Sequence, residues 1–330
     1  MILYIDEQGA ELHKTGERLI VQKDDVEIAA VRLRELEQLV LVGPVDLTTP
    51  AMHTLIDHGV DTCFLTAGGR YRGRLAPAEG KNVLLRQAQF RRIDDAQFRL
   101  TMARTIVGAK LANCRYVLLR YARNHPTPAV DEAAEALARA AASIDDQPDI
   151  DACMGAEGAA ARAYFAAFGQ MVRREFVFSE RSRRPPLDPV NALLSFGYAL
   201  TTTEIIGALA SQGLDPDAGF MHALVYGRPA LALDLLEEFR PLIADRIALK
   251  LINNGVLNES HFEPGEEGGV QMTEDGRAKY LRTYHEVLSR EIKGGAEDDS
   301  VSFRKIFRTQ AARMRAAIDG ADPYNPHTPR

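Results

Sequence analysis

The chain has 330 residues, 46% of them apolar and 26% charged, a composition that supports a proper hydrophobic core in one large or two smaller domains. Three scattered cysteines (Cys63, Cys114, Cys153) exclude a disulfide framework or a zinc knuckle, and no run of about 18 apolar residues marks a membrane span. The net charge of −6 speaks against a uniformly basic polyanion binder, and the N-terminus MILYIDEQGAELHK has neither the basic region nor the cleavage site of a signal peptide, so a cytoplasmic location is expected.

Up to about residue 78 the pattern is β-rich. Ile2-Leu3-Tyr4-Ile5, Arg18-Leu19-Ile20-Val21 and Gln38-Leu39-Val40-Leu41-Val42 are aliphatic and β-branched runs separated by turn residues. Thr48-Thr49-Pro50 predicts a helix that His58-Gly59 closes, after which Val60–Leu65 and Tyr71–Leu75 return as strands. From about residue 80 the spacing turns helical, over 82–123, 130–142, 155–178, 188–211, 230–253 and 274–293. Asp188-Pro189 supplies a cap and a first-turn proline. Segments 263–270 and 295–302 are expected to be loops, and the proline-containing tail from Asp322 to be irregular and mobile. The predicted fold class is α+β: a small β-rich domain over 1–78, then a larger all-α domain over 79–330 with a flexible C-terminal tail.

Charge is unevenly distributed. Residues 81–125 hold ten Lys or Arg against Asp94 and Asp95, and Arg181-Ser182-Arg183-Arg184 forms a second basic knot. Local patches decide polyanion binding, although a solvated helix face accounts for such charge equally well.

A few residues stand out chemically. Glu157, in the alanine-rich Gly155-Ala156-Glu157-Gly158-Ala159, shares a stripe with Ala161, Tyr164 and Phe168, so a carboxylate faces inward and needs a cation or a salt bridge, for instance to Arg162. Gly158 beside it suggests a close approach to the backbone. His222, in Gly219-Phe220-Met221-His222, precedes or opens a helix that carries Asp234 and Glu237 three residues apart on one face. Two oxygens and one nitrogen converging on a point suit a hard divalent cation, while the acidic stripe taken by itself reads better as the wet side of an amphipathic helix. Asn191, Ser195, Tyr198 and Thr202 draw a polar line along an otherwise apolar helix, needing either interhelical hydrogen bonds or a ligand to orient.

In order, VLVGPVDLTTPAMHTLIDHGVDTCFLTAGGRYRGRL, Arg86-Gln87-Ala88-Gln89, GAEGAAARAYF, RRPPLDPVNALLSFGYAL, GLDPDAGFMH and GRPALALDLLEEFRP make the chain resemble the Cas1 family, the CRISPR-associated endonuclease and integrase of spacer acquisition. The resemblance implies that Glu157, His222 and a later acid bind Mg2+ or Mn2+. Glu237 falls at that third position, with Glu238 beside it as the alternative and Asp234 as a supporting acid. It implies strand transfer or hydrolysis at a DNA phosphodiester, inserting short foreign DNA into a CRISPR array. Double-stranded DNA, as prespacer and as repeat, would lie against the basic surface, with Arg162, Arg181, Arg183, Arg184 and Asn191 as contacts. The β domain would form a homodimer, and Cas2, a small nuclease-fold protein, would join the complex. A catalytically silent DNA-binding scaffold and a helical interaction module remain the competing readings.

Overall fold

A computed structural model describes residues 1–69, 71–75, 82–265, 268–293 and 300–329. In chain order the N-terminal part contains β1 (Ile2–Ile5), β2 (Glu11–Thr15), β3 (Arg18–Lys23), β4 (Val26–Arg32), β5 (Gln38–Val42), β6 (Asp46–Leu47), helix α1 (Thr49–Asp57), β7 (Asp61–Leu65) and β8 (Tyr71–Leu75). They build two four-stranded sheets, ordered β1-β5-β7-β8 and β4-β3-β2-β6. In the first, β1, β5 and β7 run parallel and β8 is antiparallel.

Strand β5 shows why the first sheet is central. All five of its residues are buried, as expected for a parallel strand covered on both faces. Successive side chains point to opposite faces, so Leu39 and Leu41 join a small core with Leu12, Leu19, Ala51 and Leu55, while Val40 and Val42 join the large core of the helical part. The β region is therefore seated on the helices. Tyr4 Oη donates to Glu204 Oε1 at 2.6 Å, and Arg304 Nη2 pairs with the same oxygen at 3.3 Å.

The helical part comprises α2 (Val83–Asp94), α3 (Ala96–Ala122), α4 (Pro128–Ala142), α5 (Ile150–Met171), α6 (Pro189–Ser211), α7 (Ala230–Leu236), α8 (Arg246–Asn253), β9 (Phe262–Pro264), β10 (Val270–Met272), α9 (Glu274–Ser289), β11 (Ile292–Lys293), β12 (Ser300–Val301) and α10 (Phe303–Asp319). The predicted helix 82–123 breaks at Asp95, whose carboxylate caps α3 by accepting from Phe98 N at 3.0 Å. Helix α5 starts earlier than predicted because Asp149 caps it, accepting from Ala152 N at 2.7 Å. The antiparallel pairs β9–β10 and β11–β12 qualify the all-α expectation, and the predicted loop 263–270 contributes Glu263, Pro264 and Val270 to the first of them. Of the predicted loop 295–302, residues 295–299 lie outside the described residues. Helix α10 was not among the predicted segments.

Helix α6 has the length and hydropathy of a membrane-crossing segment, yet 83% of its apolar window is buried inside the fold, so it is a core helix. The tail after α10 is irregular but anchored: Tyr324 and His327 are buried, and Asn113 Nδ2 donates to His327 O at 2.9 Å. Expected mobility is thus replaced by a docked strap.

Candidate active site

The predicted helix 230–253 is not continuous. After α7, a turn through Glu237–Arg240 leads to a π-helical turn, Pro241–Asp245, in which Asp245 N donates to Arg240 O at 3.2 Å, five residues back. Pro241 lacks the N–H that an α-helix would use here, so the ladder must re-form with a wider turn. Asp234 is 0% exposed, Glu237 4% and Glu238 0%. The acids are therefore not a wet face, and each needs a partner within the protein.

Asp234 is met by the segment that carries His222. Its Oδ2 accepts from Phe220 N at 2.7 Å and Met221 N at 3.0 Å; its Oδ1 accepts from His222 N at 2.9 Å and lies 2.7 Å from His222 Nδ1. Gly219 makes this possible. A Cβ there would sit 2.6 Å from the carbonyl carbon of Ala230, so only glycine lets the chain press onto the start of α7. Gln89, wholly buried on α2, donates to Asp215 O and Ala218 O, each at 2.8 Å, and Arg99 Nε on α3 donates to Phe220 O at 2.9 Å. With its Nδ1 proton given to Asp234, the imidazole presents the Nε2 lone pair, 3.9 Å from Glu237 Oε1.

Lys110 completes the cluster. Its ammonium, from the middle of α3, pairs with Glu157 Oε1 on α5 and lies 2.5 Å from Glu237 Oε2. Arg240 Nη2 holds the other Glu237 oxygen at 3.3 Å. Burial alone would raise the Glu237 carboxyl, but Arg240 and Lys110 outweigh it and hold the group at about 2. Burial would likewise lower the Lys110 ammonium, and Glu237 with Glu157 raises it instead. Glu237 Oε2 is buried, with the Lys110 ammonium as its charged partner.

Glu238, one residue on, points the opposite way. It accepts from Gln310 Nε2 at 3.1 Å, from His327 N at 2.9 Å and from Tyr324 Oη, and burial pushes it up to about 7. The two candidates for the third ligand are thereby separated: Glu237 faces Glu157 and His222, and Glu238 anchors the C-terminal tail. Asp245 supports the other wall, accepting from Tyr198 Oη at 2.6 Å and Tyr164 Oη at 2.8 Å, and burial raises it to about 6.

The residues expected at DNA fall into two groups. Arg162, Arg183 and Arg184 are exposed, and Arg183 lines a narrow cleft of about 30 Å3 beside Lys110, Glu157 and Arg240. Such a cleft holds a water or a bare ion and nothing larger, so a bigger reactant must approach across its rim. Asn191 is buried: its Oδ1 accepts from Arg181 Nη1 at 2.7 Å and from Ser182 N at 3.0 Å, and its Nδ2 donates to Glu180 O at 2.8 Å. Ser195 Oγ accepts from Arg181 Nη2 at 3.0 Å. The polar line on α6 thus makes hydrogen bonds within the protein, fastening the Glu180–Asp188 strap and aiming Arg181 over the Tyr198 ring.

Among the ten cations of 81–125, Arg92, Arg99, Arg104 and Lys110 bind groups inside the protein, while Arg91, Arg115, Arg120 and Arg123 are exposed; Lys81 lies outside the described residues. Gly158 meets nothing within 4 Å, so the close approach expected there falls at Gly219 instead. Sequence patterning does not mark Lys110, Arg240, Gln89 or Asp245 as site residues. Lys110 sits among the counted cations and Gln89 within a quoted motif, but neither signal reveals its partner.

Among the described residues no three His, Cys, Asp or Glu side chains form a ready-made ion cage, and the Lys110 ammonium lies between the two carboxylates. In chemistry, the donor set Glu157, Glu237 and His222 Nε2 nevertheless fits a divalent cation: two hard carboxylates on a position that already accommodates positive charge, and an oriented imidazole 3.9 Å from the second of them.

The family model described as "CRISPR associated protein Cas1" matches residues 3–286. "CRISPR-associated endonuclease Cas1 1" of Chlorobaculum tepidum is 38% identical over 98% of this chain and 97% of its own length. A "CRISPR-associated exonuclease Cas4/endonuclease Cas1 fusion" of Geobacter sulfurreducens is 36% identical over 98% of this chain, which spans 59% of the fusion. Two solved structures share the fold. A "Casposase bound to integration product" has a TM-score of 0.85 at 21% identity, covering 98% of this chain and 94% of its own. The matching chain of a "Cas6-RT-Cas1--Cas2 complex" has 0.86 at 24%, covering 99% of this chain and 36% of its own.

Proposed function

The chain belongs to the Cas1 family, and from that premise we propose that it is a divalent-metal-dependent DNA endonuclease and integrase that inserts short foreign DNA as new spacers into a CRISPR array. The observation that carries the reading is that Glu157 and Glu237, from separate segments, meet on the buried Lys110 ammonium, with His222 Nε2 3.9 Å from the other oxygen of Glu237. Glu157, Glu237 and His222 Nε2 would hold Mg2+ or Mn2+, which supplies Lewis-acid stabilisation of a phosphodiester oxygen and lowers the pKa of the attacking hydroxyl or water.

The chain's own groups have definable parts. Asp234 fixes the tautomer and direction of His222 and, by collecting three backbone N–H groups, fixes the segment that bears it. Lys110 keeps Glu157 and Glu237 from repelling each other in the metal-free protein, and an incoming cation would take over that task. Arg240 remains on Glu237, and Arg181 and Arg183 at the cleft offer positive charge to the phosphates of a DNA strand lying across the rim. The partners follow the same reading: double-stranded DNA, a second copy joined through the β region, and Cas2, with which one of the fold relatives forms a complex. The site of action would be the cytoplasm.

The test is an integration assay with a short duplex and a repeat-bearing plasmid. Wild type should join the two with Mn2+ and fail with chelator, and Glu157→Ala and His222→Ala should fold normally and join nothing. Undiminished joining by both variants would sink the assignment.

A further inference from the structure

A second cavity lies away from this site. It opens where the last turns of α3, the end of α5 and the exposed side of α8 meet, and holds about 360 Å3, within the range of small-molecule sites. Arg120, Arg173, Arg246 and Lys250 line it, and no carboxylate is among the described lining residues. Tyr121 and His125 form an aromatic wall, their rings 5.0 Å apart and tilted by 43°.

Cations at helix C-termini have an ordinary explanation, the compensation of backbone carbonyl dipoles, and it suffices for Arg120 at the end of α3 and for Lys250 on α8. It does not suffice for Arg246. That guanidinium is at the first position of α8, a full helix length from the carbonyl end, and dipole effects fade within one turn. It is half-buried and, among the described residues, has no hydrogen bond or ion pair. Burial and the like charges of Arg120 and Arg290 lower its pKa. Its neighbours are lightly engaged: Lys250 is 3.8 Å from the exposed Glu286, Arg173 is 3.3 Å from His125 Nε2, and Arg120 donates to Tyr116 Oη at 3.1 Å. A guanidinium kept from water among other cations gains most from a doubly charged oxyanion.

We propose that this cavity is a second binding site, distinct from the Glu157 centre, that takes the phosphate of a nucleotide on Arg246, with Tyr121 and His125 beside its sugar or base. The phosphate belongs either to a free nucleotide or to a nucleotide within a DNA strand, and the two sources are separable. The site does not depend on the chemistry assigned to Glu157.

The experiment uses the full chain in chelator, so that the metal centre is silent, with dAMP, adenosine and a 5′-phosphorylated dinucleotide as probes in equilibrium titrations and thermal melts. The phosphorylated probes should bind and raise the melting temperature, and adenosine should not. Arg246→Gln should weaken that binding at least tenfold, with Arg246→Lys partly restoring it, while Glu157→Gln binds as wild type does. Saturation by dAMP identifies a free-nucleotide site; binding of the dinucleotide alone identifies a strand site; either supports the proposal. Should Arg246→Gln fold poorly, Lys250→Gln, at an exposed position, carries the same expectation in weaker form. Equal binding of adenosine and dAMP, no binding of either phosphorylated probe, or binding untouched by both substitutions would overturn it. Failure here leaves the integration assay unaffected, and failure there leaves these titrations unaffected.

Discussion

Glu237 and Glu238 are neighbours of identical chemistry, both nearly inaccessible to water, yet one is held at about 2 and the other pushed to about 7. The difference lies in their surroundings. Glu237 meets Lys110, Arg240 and His222, all able to carry positive charge, whereas Glu238 meets the neutral donors of Gln310, Tyr324 and the His327 amide. A buried carboxylate facing cations is a site for exchanging cations. One facing neutral donors is a clasp, here fastening the C-terminal tail.

The strongest way to break this comparison is to neutralise each acid in turn. Glu237→Gln should reduce Mn2+-dependent strand transfer to background, and Glu238→Gln should leave most of it. The reverse result would exchange their roles. Lys110→Met should follow in size. Removing one partner of a buried ionic cluster costs about 3–5 kcal/mol, so the metal-free variant should melt well below wild type and recover much of the loss with Mn2+; equal loss with and without metal would contradict a shared location for ammonium and cation. Asp234→Asn should cost about 10–100-fold in metal affinity or activity, the usual result of removing a partner that orients a ligand, measured by Mn2+ titration of strand transfer. The smallest effect sharpens the Glu238 side. A carboxyl raised from 4.5 to about 7 holds its proton more tightly folded than unfolded, so its stabilising effect is full below pH 4.5 and is lost as pH rises through about 7. Melts across that window should decline less steeply in Glu238→Gln than in wild type, by at most about 1.4 kcal/mol per pH unit. Parallel curves would show that Glu238 does not titrate there.

Much of the architecture is written locally. The aliphatic run Gln38–Val42, the Asp188-Pro189 start of α6 and the change from β to helical spacing near residue 80 each identify an element without tertiary knowledge. Helix α10 carries an equally local signal, Phe303, Ile306, Phe307, Gln310, Ala311 and Met314 on one buried face. The centre is different. Motif resemblance singles out Glu157, His222, Asp234 and Glu237, but local patterning made the acids of α7 a solvated stripe, because amphipathic spacing cannot tell a wet face from a buried one that has charged partners. Lys110 was legible only as one cation of ten: its place between Glu157 and Glu237 depends on how α3, α5 and α7 pack. Gly219 carried a stronger hint, since a glycine three residues before a candidate ligand marks where the backbone must be pressed flat against something.

The wide turn at Pro241–Asp245 has a mechanical corollary. An ordinary turn takes about 3.6 residues, and a wide one takes about one more, so it works as slack: the surplus residue is absorbed inside the turn and the helix beyond keeps its phase. Ile247 and Leu251 meet the interior, and Lys250 the outside, on the far side of that slack. Delete Ala244, and the turn would close to ordinary pitch with α8 still in phase. The loss would fall on the turn itself, where Asp245 N donates to Arg240 O.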